Sequence, residues 1–163
     1  CIEGGLGDAP HFQQAIAAGL HSVPHAGEST GPETIWDSIN HLRAERIGHG
    51  ISAAQDPALM AYLAENNITL EVSPTSNVCT RSVPSLAEHP LPTLVAAGVP
   101  VTINSDDPPM FGTTLNAEYK IAAELLGLDH AGLAELSRAA VRASFADDAV
   151  KRDLISEIDA YLD

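Results

Sequence analysis

Cysteine is scarce in this chain of 163 residues, which contains only Cys1 and Cys79 and no cysteine spacing typical of a metal site. A disulfide scaffold is therefore not expected, and a reducing, cytoplasmic compartment is the default prediction. Long apolar runs are also lacking, because the most apolar stretch, 91–103, is interrupted by two prolines and a glycine. A membrane helix needs roughly 20 consecutive apolar residues, so we predict no membrane span.

Basic residues are few as well: Lys and Arg total 8 against 22 Asp and Glu, and the formal net charge is −14. Binding to a nucleic-acid polymer requires clustered Lys and Arg to neutralise phosphates, so we do not expect such a polymer as a partner. Many acidic residues fall in helix-like segments such as 147–163, where a solvated helix face is the simplest interpretation. A small polar substrate is compatible with this charge.

What the sequence does contain is an alternation of short apolar strands with amphipathic helices, which is typical of parallel βαβ units. Strands are predicted at 20–25, 46–50, 68–72 and 99–104, and the glycine-rich segment 1–7 is a further candidate. Helices are predicted to begin after Gly31, Asp56 and Pro74, and the last of these runs to Gly98. From Leu115 onward, three helices follow without an intervening strand, so the βα series has ended there.

Polar residues follow the predicted strands where those strands end: His25 and Glu28, then His49, then Asp106 and Asp107. In a (β/α) barrel, the active site is built at these carboxyl ends. Taken singly, each motif has a structural interpretation that stays open: a loop His with a surface Glu, a His in a turn between two glycines, and an Asp that caps the next helix. Taken together, nitrogen and carboxylate donors suit a zinc hydrolase, whose metal lowers the pKa of water to about 7.

Four segments resemble the adenosine deaminase family in their order and spacing: His25-Ala-Gly-Glu28, Arg46-Ile-Gly-His49-Gly50, Ser73-Pro-Thr-Ser-Asn77 and Asn104-Ser-Asp-Asp-Pro108. The resemblance covers nearly the whole chain. It implies an α/β fold, the TIM barrel, of which this chain contributes about strands four to eight and the trailing C-terminal helices. It also implies that residues 1–163 form a single, incomplete metal-dependent deaminase domain whose N-terminal strands are missing.

The resemblance also implies a role for each polar residue. His25 and Asp106 resemble the family's zinc ligands, and Glu28 resembles the acid that protonates purine N1. His49 resembles the histidine that orients the attacking water and accepts its proton. Asp107 resembles the residue that hydrogen-bonds purine N7 and helps to hold the attacking oxygen, and Gly7 matches the position of a glycine whose amide contacts the purine.

Two departures from the family pattern are visible. The family's first two zinc ligands form a His-x-His pair, and no such pair occurs in this sequence. With His25 and Asp106 alone, catalytic zinc would lack two of its protein ligands, so we expect the chain by itself to bind zinc poorly. The segment Gly5-Leu-Gly7-Asp8 is shorter than its family counterpart, where two glycines precede Asp-Glu.

The expected activity is zinc-dependent hydrolytic deamination of adenosine or a related 6-aminopurine nucleoside to the 6-oxo product and ammonia. The missing N-terminal half of the barrel would be needed for a complete site. Within the family, aminodeoxyfutalosine and free adenine are the alternative substrates. A different metal hydrolase of the same fold and a non-catalytic half-barrel that serves in binding or assembly are the rival hypotheses.

Overall fold

A sheet of four short parallel strands forms the centre of the computed structural model, which describes residues 3–162. The strands lie side by side in chain order: β1 (His25–Ala26), β2 (Arg46–His49), β3 (Thr69–Val72) and β4 (Val101–Ile103). Their register aligns His25 with Gly48, Gly48 with Glu71, and Glu71 with Thr102. Because all four strands are parallel, their carboxyl ends meet at one edge of the sheet.

Helices connect the strands and continue after the last one. They are α1 (Ala9–Ala17), α2 (Pro32–Leu42), α3 (Pro57–Glu65), α4 (Pro74–Cys79), α5 (Leu91–Ala96), α6 (Pro108–Phe111), α7 (Leu115–Leu126), α8 (His130–Ala143) and α9 (Asp148–Ala160). Short 3-10 segments lie at Leu6–Asp8, Ile51–Gln55 and Leu86–Glu88.

Local chemistry fixes where several helices begin. A proline in the first turn, where its missing N–H costs nothing, opens α2 and α3. At the start of α3, the Asp56 side chain accepts hydrogen bonds from the N–H groups of Ala58 and Leu59. Trp36 of α2 donates its indole N–H to the same carboxylate at 3.0 Å, so one residue both caps α3 and ties it to α2.

The core lies between the sheet and the helices that connect its strands. Ile47 and Leu70 of the central strands are fully buried, as are Ile35, Leu59 and Leu94 on the covering helices. Full burial of such aliphatic side chains is worth about 1.5–3 kcal/mol each. This layer holds the strands in register and thereby sets the relative positions of the residues at their carboxyl ends.

The trailing helices are anchored near the amino end of β2. The Arg46 guanidinium donates to the Ala143 carbonyl at 2.8 Å and lies 4.1 Å from the centre of the Phe145 ring. The His21 ring stacks on Phe145 with ring centres 3.6 Å apart. These contacts are made at and just after the end of α8, and they lie on the side of the sheet where the strands begin.

Three sequence predictions about elements need correction. The strand predicted at 20–25 is reduced to β1, since Pro24 has no N–H for the ladder and residues 20–24 are irregular. The strand predicted at 1–7 is wrong at its end, where Leu6–Asp8 is a 3-10 segment; Cys1 and Ile2 lie outside the described residues. The helix predicted from Pro74 to Gly98 is three short helical pieces separated by loops.

No helix in the described part of the chain is long and apolar enough to cross a membrane.

Candidate active site

Four of the five polar residues singled out in the sequence converge at the carboxyl edge of the sheet. The imidazole rings of His25 and His49 are 5.0 Å apart between centroids, in an edge-on arrangement. His49 Nε2 lies 3.4 Å from Glu28 Oε2 and 3.9 Å from Asp106 Oδ2. The site therefore brings two imidazole rings and two carboxylates close to one another around His49.

Gly48 makes room for the His25 ring. A Cβ added to Gly48 would lie 2.4 Å from Cδ2 and 2.9 Å from Nε2 of that ring. Gly50, with φ +67°, leaves no room either, since its Cβ would lie 2.5 Å from a methyl group of Leu70. The glycines on either side of His49 therefore make room for the His25 ring and for the packing of Leu70 in the core.

His49 is buried, with 2% of its surface exposed. Burial lowers the pKa of His49 below its ordinary value, and the carboxylates of Glu28 and Asp106 oppose this shift without reversing it. The neutral imidazole is therefore the favoured form. The backbone at His49 is left-handed (φ 61°), which is uncommon for a residue with a side chain.

Glu28 is 7% exposed, and the Thr80 hydroxyl donates to its Oε1 at 3.1 Å. The loop that carries Glu28 is held by Glu3, whose carboxylate accepts the backbone N–H groups of Gly27 and Glu28 at 3.1 Å and of Ser29 at 2.6 Å. Burial acts to raise the pKa of Glu3, but the hydrogen bonds to it hold that pKa below its ordinary value. The ionised Glu3 carboxylate therefore holds the loop that carries Glu28 in place.

Asp106 and Asp107 have different surroundings although they are adjacent. The Ser76 hydroxyl donates to Asp106 Oδ2 at 2.7 Å and directs this carboxylate towards His49. Asp107 is exposed and caps α6, where its Oδ1 accepts the Met110 N–H at 3.1 Å. The sequence left open that one of these carboxylates caps a helix, and the structure shows that Asp107 does so. Asp107 therefore lies outside the cluster formed by the other four residues.

His49 is held from behind by a buried amide. Asn77, with no exposed surface, places its Nδ2 3.1 Å from His49 Nδ1 and its Oδ1 3.2 Å from His89 Nε2. His89, which the sequence analysis did not connect with the site, is 4% exposed and accepts the Leu91 N–H at Nδ1. Burial lowers the pKa of His89 to about 4, in spite of the Glu118 carboxylate.

The donor types at the site fit zinc, but their number does not suffice. His25 and Asp106 line the same cavity of about 350 Å³, and imidazole nitrogen and carboxylate oxygen are ordinary zinc ligands. A catalytic zinc site has three protein ligands as a rule. Within residues 3–162 no group of three or more His, Cys, Asp or Glu side chains is arranged to hold a metal.

A second cleft, of about 450 Å³, has Glu28 in its lining. Hydroxyl groups of Ser29, Thr80 and Ser82 line it, together with Arg81. Gly7 lies at the exposed 3-10 segment, and a Cβ there would have no neighbour within 4 Å. The structure does not bring Gly7 into the cluster.

Several residues of the site were missed in the sequence. Ser76 and Asn77 lie in the segment 73–77 that carried part of the resemblance. This segment supported the resemblance but did not indicate what either residue does. Glu3, Thr80 and His89 gave no local signal, because their partners are distant in the sequence; Thr80 and Glu28, for example, are 52 residues apart.

Known proteins resemble this chain along nearly its whole length. The family model described as "Adenosine deaminase" matches residues 5–161. The aminodeoxyfutalosine deaminase of Streptomyces coelicolor is 64% identical over 152 residues, which cover 93% of this chain and 39% of that protein. The adenosine deaminase of Pectobacterium atrosepticum is 44% identical over 148 residues, which cover 91% and 44%.

Among solved structures, adenine deaminase from Arthrobacter aurescens superposes with a TM-score of 0.90 at 36% identity, covering 94% of this chain and 47% of that one. The chain therefore spans less than half the length of these relatives. The structural neighbours are TIM-barrel deaminases, so the four parallel strands and their helices form the C-terminal part of a TIM barrel, and the predicted α/β fold class is confirmed.

Proposed function

The chain belongs to the adenosine deaminase family, and from this premise we propose that it supplies the C-terminal half of the catalytic site of a zinc-dependent deaminase. The reaction is hydrolysis of a 6-aminopurine nucleoside to the 6-oxo product and ammonia. Residues 1–163 are then one incomplete barrel domain, and the remaining zinc ligands come from N-terminal strands that this chain does not contain.

The convergence of His25, Glu28, His49 and Asp106 is the observation that carries this proposal. These residues come from three separate strand ends, and His49 Nε2 lies 3.4 Å from Glu28 Oε2 and 3.9 Å from Asp106 Oδ2, with the His25 ring 5.0 Å from the His49 ring between centroids. A surface Glu and a turn His would have no reason to lie buried within 3.4 Å of each other. The burial of Glu28 and His49 also argues against a half-barrel retained only for binding, since burying polar groups is costly.

Each residue has a defined task in the proposed reaction. Glu28 donates a proton to purine N1, which makes C6 a better electrophile. His49 orients the attacking water through Nε2, the ring nitrogen that faces Glu28 and Asp106. Asp107 contacts purine N7 through Oδ2, because its Oδ1 already accepts the Met110 N–H. Gly7 contributes an amide contact to the purine.

His25 and Asp106 would hold the zinc from this side of the site. When bound, the metal supplies a water molecule with a lowered pKa at neutral pH. Two residues of the chain position these ligands. Gly48 leaves the space that the His25 ring occupies, and the Ser76 hydroxyl orients Asp106.

Aminodeoxyfutalosine is the first substrate to test, because the relative that is 64% identical acts on it by name, whereas the adenosine and adenine deaminases are 44–45% identical. The hydroxyl-rich cleft beside Glu28 suits a polar substituent extending from the purine, which supports a nucleoside over the free base. Adenosine is the second candidate, and adenine is the comparison without a substituent.

The first experiment reads the coding DNA upstream of Cys1. An in-frame strand ending in His-x-His would complete the ligand set, and the full reading frame would then be expressed and assayed for ammonia release from the three substrates. Glu28→Gln should lower kcat by about 10²–10⁴, and Glu124→Gln, an exposed change on α7, should leave it unaltered. Activity on none of the three substrates would reject the deaminase assignment and leave the binding half-barrel as the hypothesis to pursue.

A further inference from the structure

A chain of three buried hydrogen bonds connects the backbone of α5 to the histidine of the site. The Leu91 N–H meets His89 Nδ1 at 3.1 Å, His89 Nε2 meets Asn77 Oδ1 at 3.2 Å, and Asn77 Nδ2 meets His49 Nδ1 at 3.1 Å. The three side chains are 4%, 0% and 2% exposed, respectively. Water therefore cannot readily replace any partner.

The backbone amide at one end fixes the direction of the whole chain. A backbone N–H can only donate, so His89 Nδ1 must present a lone pair, and neutral His89 carries its proton on Nε2. That N–H requires an acceptor, which places Asn77 Oδ1, and not its NH2 group, against His89. The Asn77 NH2 group is then left to donate to His49 Nδ1.

The reverse orientation of the Asn77 amide is excluded by the same logic. It would bring an NH2 group against the His89 Nε2–H, and two buried donors would face each other without an acceptor. An unsatisfied buried donor costs about 1–3 kcal/mol. The assignment of the amide, often ambiguous in a structure, is therefore determined here by Leu91.

The hydrogen bond from Asn77 determines which ring nitrogen of His49 carries the proton. With a lone pair at Nδ1, the neutral ring carries its proton on Nε2, which faces Glu28 Oε2 at 3.4 Å and Asp106 Oδ2 at 3.9 Å. Protonation of Nδ1 would set an N–H against the Asn77 NH2 group, so the same amide also opposes the doubly protonated ring.

We propose that Asn77 and His89 are positioning residues that hold His49 in the Nε2–H tautomer, so that His49 acts as a hydrogen-bond donor to the attacking oxygen and not as its base. This inference rests on the proposed function and changes one role that the family resemblance implies. A nitrogen that already carries a proton cannot accept the proton of the water. That proton goes to a carboxylate, and Glu28, the nearest to His49 Nε2, can take it and pass it to purine N1.

The test is nitrogen-15 NMR of the histidine rings in the protein expressed from the complete reading frame, with and without zinc. Protonated and unprotonated ring nitrogens resonate far apart, so the tautomer is read directly. In the wild-type protein, Nδ1 of His49 should be unprotonated and Nε2 protonated. A proton on Nδ1 would overturn the inference, and this result needs no variant.

Asn77→Asp replaces the NH2 donor by an acceptor of nearly the same shape, and His89 keeps its partner. Nδ1 of His49 should become protonated, and kcat should fall by about 100-fold or more, with a much smaller change in KM. Asn116→Asp, the same change at an exposed position of α7, should alter neither. An unprotonated Nδ1 in the Asn77→Asp protein, or an unchanged kcat with the tautomer reversed, would contradict the inference.

The role of His89 has its own test. His89→Leu removes the donor to Asn77, so the amide can rotate and His49 should show a mixture of tautomers, whereas His89→Gln restores a donor and should restore the single tautomer. The two proposals fail separately: an inactive protein with the Nε2–H tautomer would refute the deaminase assignment, and an active protein with Nδ1–H would refute the tautomer.

Discussion

The replacement of Gly48 by alanine perturbs the site through the contact that the structure defines most sharply. The new Cβ would lie 2.4 Å from His25 Cδ2, whereas non-bonded carbons settle at about 3.5–4.0 Å, so the ring has to move by about 1 Å. The strands cannot separate easily to relieve this, because Gly48 and His25 are register partners and the Gly48 N–H donates to the Pro24 carbonyl at 2.9 Å.

Two opposing effects determine the stability of Gly48→Ala. Removing a glycine from a strand gains about 0.5–1 kcal/mol of backbone entropy, and overpacking a rigid site costs about 1–3 kcal/mol. The overpacking dominates, so the free energy of unfolding in urea should fall by about 1–2 kcal/mol. The larger effect should be on function, since a displacement of about 1 Å in a catalytic group can cost about 100-fold.

The assay is zinc titration and kcat of the protein expressed from the complete reading frame. Gly48→Ala should weaken zinc binding and lower kcat by about 10-fold to 100-fold. Gly5→Ala, whose Cβ would meet nothing within 4 Å, is the matched control. Wild-type zinc affinity and kcat in Gly48→Ala would show that the position of the His25 ring is unimportant, and our account of this glycine would be refuted.

Three further perturbations follow from the contacts. Glu3→Ala removes the acceptor of three backbone N–H groups, so we expect about 1–3 kcal/mol less stability and at least about a tenfold loss of kcat; an unaltered kcat would show that the Glu28 loop is held without Glu3. Acidification from about pH 6.5 to about pH 4 should lower the free energy of unfolding by about 3 kcal/mol through His89. The reason is that folding lowers the pKa of His89 from 6.5 to about 4, so the unfolded chain takes up the proton first. Urea unfolding at several pH values should show this loss, and His89→Gln should reduce it. The chain of 163 residues alone should self-associate through the outermost strands of the sheet, β1 and β4, and a monodisperse monomer in sedimentation would contradict this expectation.

The elements that sequence reasoning predicted well are those whose signals are local. The apolar runs of β2, β3 and β4, and the prolines that open α2 and α3, are read directly from neighbouring residues. The segment 6–8 shows the limit of such reasoning. There the Asp8 carboxylate accepts the Gly5 N–H at 3.0 Å, and a 3-10 turn forms where a strand was predicted.

The site was predictable in part for a similar reason. His25, His49 and Asp106 could be placed together because parallel strands bring their carboxyl ends to one edge. The residues that orient them come from elsewhere, as with Asn77 behind His49, and the pairing depends on how α4 packs against the sheet. No pattern within one segment encodes that pairing, so only the folded structure shows it.

Left-handed backbone at residues other than glycine occurs in two different settings in this fold. Among the described residues, left-handed conformations at non-glycine positions include Arg43, Asn67 and Arg81, which follow helices, where this conformation satisfies the last carbonyl groups. His49 (φ 61°) and Asp106 (φ 53°) are different, because His49 is the last residue of β2 and Asp106 follows β4, and neither lies at the C-terminal end of a helix. At these two positions the side chains face each other, with His49 Nε2 3.9 Å from Asp106 Oδ2, so the strain is retained at residues to which the proposed reaction assigns a task.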